Sequence, residues 1–159
     1  MEWHVLHVMT GAELEAQRQL KEKGLEAIVL QEAVQIHSGG QWREEIQVWF
    51  PGYVFILMNY TNSHHYIIKE VNGFIGLMPK GGKPMPLPMK EVRWLMDFCQ
   101  EVLTPSKVDF SGDKPAVVSG SLKELEAYIV KYDRHRRRAL LDMTLLGNPK
   151  KISLSIKPV

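Results

Sequence analysis

Apolar and polar positions alternate with period two over Trp3 to Val8, with Trp3, Val5 and His7 on one side and His4, Leu6 and Val8 on the other. This predicts a strand, broken by Thr10-Gly11. The period then changes. Leu14 and Leu20, with Ala12 before them and Ala16 and Gln17 between them, form a modest stripe; acids lead (Glu13, Glu15), bases trail (Arg18, Lys21, Lys23) and Gly24 follows, predicting a helix over Glu13 to Lys23. Glu26 to Ile36 returns to a strand pattern. Ser38-Gly39-Gly40 is a turn signal, and Trp42 to Trp49 makes the second arm of a hairpin, Val34–Ile36 against Ile46–Val48. The run Trp49-Phe50-Pro51-Gly52-Tyr53-Val54-Phe55-Ile56-Leu57-Met58 enters a strand through a Pro-Gly turn, with Tyr53, Phe55 and Leu57 on one face and Val54, Ile56 and Met58 on the other. Both faces are apolar. A helix capped by Asn62 or Ser63 through Lys69, a strand from Gly73 to Leu77, a proline-rich loop from Pro79 to Pro88, and a helix from Met89 to Glu101 with Val92, Leu95, Met96 and Cys99 at core spacing complete the first part.

The pattern weakens over 102–109, which reads as a linker. Beyond it, Ala116-Val117-Val118, Tyr128 to Tyr132, Ala139 to Leu145 and Ile152 to Ile156 predict short strands separated by Ser119-Gly120, Arg134–Arg138 and Gly147-Asn148-Pro149. Strands at this spacing suggest a small barrel. One stretch carries two periods. Ser121-Leu122-Lys123-Glu124 fits a capping box, and Leu122, Leu125, Ile129 and Tyr132 follow at near-helical spacing, while Tyr128, Val130 and Tyr132 alternate as a strand. The flanking turns favour the strand. The whole is an α+β chain with domains at 1–101 and 110–159.

Composition narrows the picture. Hydrophobic residues are 45% and charged residues 24% of 159, enough to bury a core. A single cysteine, Cys99, forbids an internal disulfide and suits a reducing cytoplasm. No signal peptide and no membrane-length apolar run is visible, so no membrane partner is expected. The net charge of +2 hides an asymmetry: residues 1–109 carry 10 bases against 13 acids, and residues 110–159 carry 10 against 5. The basic half points toward nucleic acid.

No catalytic residue, metal site or cofactor is expected. Gly81-Gly82-Lys83 lacks the flanking residues of a phosphate loop, and no paired carboxylates or activated nucleophile stand out. His64 and His65 are adjacent and diverge on any regular element, and His4 and His7 fall on opposite strand faces, so neither pair chelates a metal. The basic run is the positive signal. Lys131, Arg134, His135, Arg136, Arg137 and Arg138 gather at one turn and Lys150-Lys151 at another, with Tyr128 and Tyr132 close in sequence for stacking. Guanidinium groups grip phosphates bidentately and stack on bases, which makes these residues candidates for RNA binding.

Taken in order, these pieces resemble the NusG family of transcription elongation factors over almost the whole chain. The resemblance rests on Trp3, Gly11, Phe50-Pro51-Gly52-Tyr53-Val54-Phe55, Val71-Asn72-Gly73-Phe74-Ile75-Gly76 and Pro84-Met85-Pro86-Leu87-Pro88, then on Gly112-Asp113, Val117-Val118-Ser119-Gly120 and Tyr128-Ile129-Val130-Lys131-Tyr132-Asp133, which look like a KOW domain. It implies a NusG-type N-terminal antiparallel sheet with helices and a small five-stranded, SH3-like KOW β-barrel. It also implies a bacterial, cytoplasmic, non-enzymatic factor that binds RNA polymerase through the β′ clamp helices and the β subunit, with Phe50, Tyr53, Phe55 and His7 at that interface. His64 and His65 fall where specialised members touch polymerase or non-template DNA. Glu70-Val71, Ala127 and Leu122 depart from the residues expected of general members. These departures resemble the antiterminator branch typified by RfaH and LoaP, and they imply action on selected long operons, with nascent RNA, as a structured leader element, as the partner of the basic barrel. The alternative is a general pausing factor whose barrel docks a ribosomal protein. The double periodicity of 121–132 also fits a C-terminal unit that switches between helical and barrel forms.

Overall fold

The structure is a computed structural model, and it describes residues 1–99 and 102–159. By contacts the chain divides into two compact units. One comprises Met1–Leu30, Phe50–Cys99 and Leu145–Gly147; the other comprises Gln31–Trp49, Gln100–Thr144 and Asn148–Val159.

The first unit is built on a four-stranded sheet. In chain order its elements are β1 (Glu2–Val8), α1 (Glu13–Glu22), β2 (Glu26–Ile28), β5 (Tyr53–Met58), α2 (Asn62–Ile68), β6 (Phe74–Leu77) and α3 (Met89–Phe98); β3 (Gln31–Ser38) and β4 (Gln41–Val48) lie between β2 and β5 in sequence and belong to the second unit. The sheet order is β2-β5-β1-β6. β1 and β5 pair antiparallel with Val5 opposite Phe55 and His7 opposite Tyr53, so Trp3, Val5, His7, Tyr53, Phe55 and Leu57 share one face. Leu6, Val54 and Ile56 on the other face are fully buried. α1 packs along β2 and β5 and buries Ala16 and Leu20.

Gly52 turns the chain into β5 at φ +88°, a conformation that favours glycine, and a Cβ there would lie 3.3 Å from the Val8 carbonyl oxygen. The turn is held by Glu13. Its buried carboxylate accepts the Gly52 N–H at 2.7 Å and the Gly11 N–H at 2.8 Å. The acid that looked like a favourable helix-dipole residue therefore also clamps two chain reversals.

The second unit contains β7 (Ser106–Asp109), β8 (Ala116–Ser119), a 3-10 helix (Ser121–Tyr128), β9 (Ile129–Asp133), β10 (Arg138–Leu145) and β11 (Asn148–Pro158), with the β3–β4 hairpin. The five strands form a curled sheet in the order β8-β7-β11-β10-β9, and β7 runs parallel to β11. Its core holds Val108, Leu122, Leu125, Ala139, Leu141, Met143, Leu154 and Ile156.

Several expectations are corrected. The stretch from Glu26 to Ile36 is two strands, because β2 pairs with β5 while β3 pairs with β4. The hairpin register is set by its two-residue turn: Ser38 faces Gln41, Gly39 and Gly40 both take positive φ, and Val34 consequently faces Glu45, not Ile46–Val48. Residues 106–109, expected within a linker, form β7, because Val108 is apolar and fully buried between two ladders. α3 buries Glu91, Trp94, Leu95 and Phe98 in place of the Val92, Leu95, Met96 and Cys99 stripe, a rotation toward the bulkier aromatic side chains; Gln100 and Glu101, the expected end of this helix, lie outside the described residues. α2 is capped by Thr61, not by Asn62 or Ser63.

The doubly periodic stretch divides. Ser121–Tyr128 is 3-10 helix, with Leu122 and Leu125 buried at its three-residue spacing, and only Ile129–Asp133 is strand. Gly120 precedes it at φ +105°, where a Cβ would sit 2.5 Å from Ser106 Oγ. That hydroxyl in turn accepts the Leu122 N–H at 3.0 Å.

Candidate functional site

The first candidate cluster lies on the sheet of the first unit. Phe50 and Trp94 stack with ring centroids 5.3 Å apart and planes 10° apart, and both meet Phe55 edge-on at 6.2 Å. α3 thus covers the aromatic face of β5. Phe50 is 1% exposed, Phe55 0% and Tyr53 8%. Phe50 and Phe55, which the resemblance places at the polymerase interface, are thus covered by Trp94. Trp94 was not singled out from the sequence, although an indole on the last helix of a chain with an otherwise uncovered aromatic strand is the signal that was available. His7 is the half-buried member of the set, stacked on Tyr53 with centroids 5.2 Å apart.

His64 and His65 separate, as their adjacency required. His64 Nδ1 accepts the Thr61 N–H at 3.1 Å and lies 2.9 Å from Thr61 Oγ1, so this ring caps α2. His65 is exposed, 5.7 Å from the ring of Tyr66, and Lys69 Nζ lies 4.8 Å from the same ring.

The second cluster is the basic turn of the second unit. Asp133 Oδ1 accepts the Arg136 N–H at 3.0 Å and the Arg134 carbonyl accepts the Arg137 N–H, so the Asp-Arg-His-Arg-Arg sequence closes on itself. Arg137 has φ +55°, rare for a residue with a Cβ. The turn separates its bases into two groups. Arg138 points inward: Nη1 and Nη2 donate to the two Glu32 carboxylate oxygens at 3.2 and 2.8 Å, and Nε and Nη2 donate to Ser153. Glu32 is buried and also accepts the Ser155 N–H at 2.9 Å. Burial pushes its carboxyl above the usual range, with Arg138 and the Ser155 N–H acting against the rise. Arg137 Nη1 donates to Gln35 Oε1 at 2.9 Å, and its guanidinium carbon sits 3.9 Å from the centroid of the Trp42 ring.

Arg134, His135, Arg136, Lys131 and Lys151 are exposed, and Lys150 is half-buried. Arg134 lies over the Phe110 ring at 5.2 Å, and Phe110 meets Tyr132 edge-on. Trp42, Arg134, His135, Arg137 and Pro158 line one open groove of about 530 Å³. The structure thus brings Arg134, His135 and Arg137 together, commits Arg138 to a buried ion pair, and adds Trp42, which sequence reasoning treated only as part of a hairpin arm. The Gly-Gly turn was the available signal, because it places Trp42 at the hairpin tip. Among the described residues no cluster of three or more His, Cys, Asp or Glu is placed to hold a metal, and no helix is long and apolar enough to cross a membrane.

Comparison with known proteins gives a consistent answer. The family model described as transcription termination factor NusG matches residues 1–96. The transcription termination/antitermination protein NusG of Thermus thermophilus is 25% identical, covering 100% of this chain and 97% of that protein. The protein of the same name from Buchnera aphidicola is 27% identical over 99% of this chain and 94% of its own length. Among solved structures, Thermotoga maritima NusG, from a study of its domain interaction, aligns with a TM-score of 0.52 at 20% identity, covering 98% of this chain and 93% of that one, a likeness of fold.

Proposed function

The chain belongs to the NusG family of transcription factors, and on that premise we propose that it binds RNA polymerase and promotes antitermination on selected long operons by gripping nascent RNA with its basic turn. The observation that carries the RNA assignment is the separation within that turn. Arg138 and Arg137 are engaged by Glu32, Gln35 and Trp42, and they hold up an exposed set of Arg134, His135 and Arg136 with Lys131 beside them. A turn built only for solubility would not need two of its arginines anchored. Anchoring limits the conformations of the remaining cations and so reduces the entropy lost when they meet phosphates.

The polymerase contact is assigned to the sheet of the first unit. His7 and Tyr53 form its stacked rim, on the same face of the sheet as Phe55, whose ring is closed under Trp94 together with Phe50. His65 is the exposed member of the histidine pair and is assigned to polymerase or non-template DNA, while His64 shapes α2. A factor that binds the closed clamp better than the open one shifts the enzyme toward processive elongation. The protein acts in the cytoplasm and performs no chemistry of its own.

The test is equilibrium binding of the full chain to a structured leader-RNA hairpin and to random-sequence RNA across a salt series. Tighter binding to the hairpin, weakened by salt in proportion to the phosphates neutralised, is expected. Equal, salt-insensitive binding to both would sink the assignment. The names of the relatives favour one other reading, a general factor acting on most genes. Genome-wide occupancy separates the two: a few operons for the first, most transcribed genes for the second.

A further inference from the structure

Of the four tryptophans, Trp3, Trp49 and Trp94 are 8%, 2% and 7% exposed, whereas Trp42 is 36% exposed. It stands next to the Gly39-Gly40 turn of the hairpin, with the His37 ring 5.0 Å away as its cross-strand neighbour. The guanidinium packed on it is not loose. Arg137 is fixed by its positive φ within the turn, by the Gln35 side chain, and by the Ile156 N–H, which donates to its carbonyl at 3.0 Å. Gln35 is itself held, since its Nε2 donates to Glu44 at 3.1 Å. Rare backbone geometry maintained by several contacts is typical of places where a side chain must be presented.

We infer that the groove between the hairpin tip and the basic turn, lined by Trp42, Arg134, His135, Arg137 and Pro158, is a pocket for one unpaired RNA base. The Arg137 guanidinium already lies on one face of the indole, so a base entering the groove extends an existing stack, and planar guanidinium and aromatic surfaces are both surfaces on which bases stack. Arg134 and His135 stand at the same groove as donors for the adjoining phosphates. No acid lines it, and its size of about 530 Å³ lies within the range of small-ligand sites. This inference rests on the RNA-binding assignment above and specifies it: the basic residues supply attraction, and Trp42 with Arg137 supplies a preference for a looped-out or single-stranded nucleotide over a duplex.

The test uses the full chain with three probes of equal length, an oligoadenylate RNA, its deoxy counterpart and a blunt RNA duplex, beside the leader hairpin. Because the other tryptophans are buried, oligoadenylate is expected to quench Trp42 fluorescence, and Trp42→Phe should lose the quench while keeping most of the affinity. Trp42→Ala should weaken oligoadenylate binding about tenfold, leave duplex binding unchanged and leave the salt slope unchanged. Arg134→Ala should weaken both RNAs and lower the salt slope by about one. Equal losses for single strand and duplex in Trp42→Ala would reveal a scaffolding role and overturn the inference, as would absence of quenching or tighter binding of the deoxy strand. If the hairpin binds normally while oligoadenylate leaves Trp42 unquenched, only the base pocket fails. If no RNA binds the wild-type chain, the RNA assignment fails and the pocket with it.

Discussion

The aromatic strand β5 and the basic turn before β10 carry the densest candidate chemistry in the chain, and the protein treats them in opposite ways. In β5 the candidates are almost wholly interior. Phe50 and Phe55 are closed under Trp94, leaving His7 and the edge of Tyr53 as the rim. In the basic turn the candidates divide, with Arg138 turned to structural work, Arg137 held against Gln35 and Trp42 at the groove, and Arg134, His135 and Arg136 left in water. The cause is the cost of exposure for each residue type. An aromatic face gains by being covered, so any helix with a matching stripe closes over it. A guanidinium loses its hydration when buried and goes inside only where a carboxylate and further acceptors replace it, as Glu32 and Ser153 do. Residue type alone therefore does not mark a binding residue in either region.

The largest expected effect breaks the first half of the comparison. Phe55→Ala removes the ring that meets both Phe50 and Trp94 edge-on and should cost about 4 kcal/mol of stability by chemical denaturation. A loss of polymerase binding with unchanged stability would instead mean that this ring acts at a surface.

Next comes the division within the turn. Arg138→Ala leaves the buried Glu32 carboxylate without its bidentate partner and should cost about 3 kcal/mol. Arg136→Ala, at an exposed position, should leave the unfolding midpoint where it was and lower only RNA affinity. Similar stability losses for both would erase the distinction between anchored and free arginines.

The smallest effect concerns His4, buried on the second face of the sheet. Burial holds its imidazole below the ordinary value of 6.5, with His64 acting in the same direction and the Glu2 carbonyl and carboxylate against it. The unfolded chain then takes up a proton that the folded chain resists. Stability from this group is present above the ordinary value and is lost as pH falls through the depressed one. The melting temperature of the wild type should accordingly fall more on acidification from about pH 7 to about pH 5 than that of His4→Leu; parallel curves would remove His4 from the account.

Much of the architecture was legible because it depends on short-range pattern. β1, α1, β5 and β10 follow alternation, helix charge order and glycine punctuation that act within a few residues. Alternation alone places Val54, Ile56 and Met58 on one face of β5, and all three are buried. The readings that needed revision depend on a distant partner. Nothing local tells β2 from β3, since both mix polar residues with alanine and β-branched residues; only pairing with β5 in one case and β4 in the other separates them. The stripe of α3 shifted by one position because Trp94 had Phe50 and Phe55 to stack on. At the candidate sites the basic run was visible as composition, but the roles of its members were not, because Glu32, Gln35 and Trp42 lie about a hundred residues earlier.

The sequence by itself determined most of the strands and helices, the charge asymmetry between the two halves of the chain, and the family, because these rest on local periodicity, composition and ordered motifs. Only the tertiary structure decided which aromatics are covered, which arginines are spent on Glu32 and Trp42, and that a hairpin tip and a basic turn share one groove. Those outcomes depend on desolvation, and a group's loss of water is set by whatever packs against it, not by its neighbours along the chain.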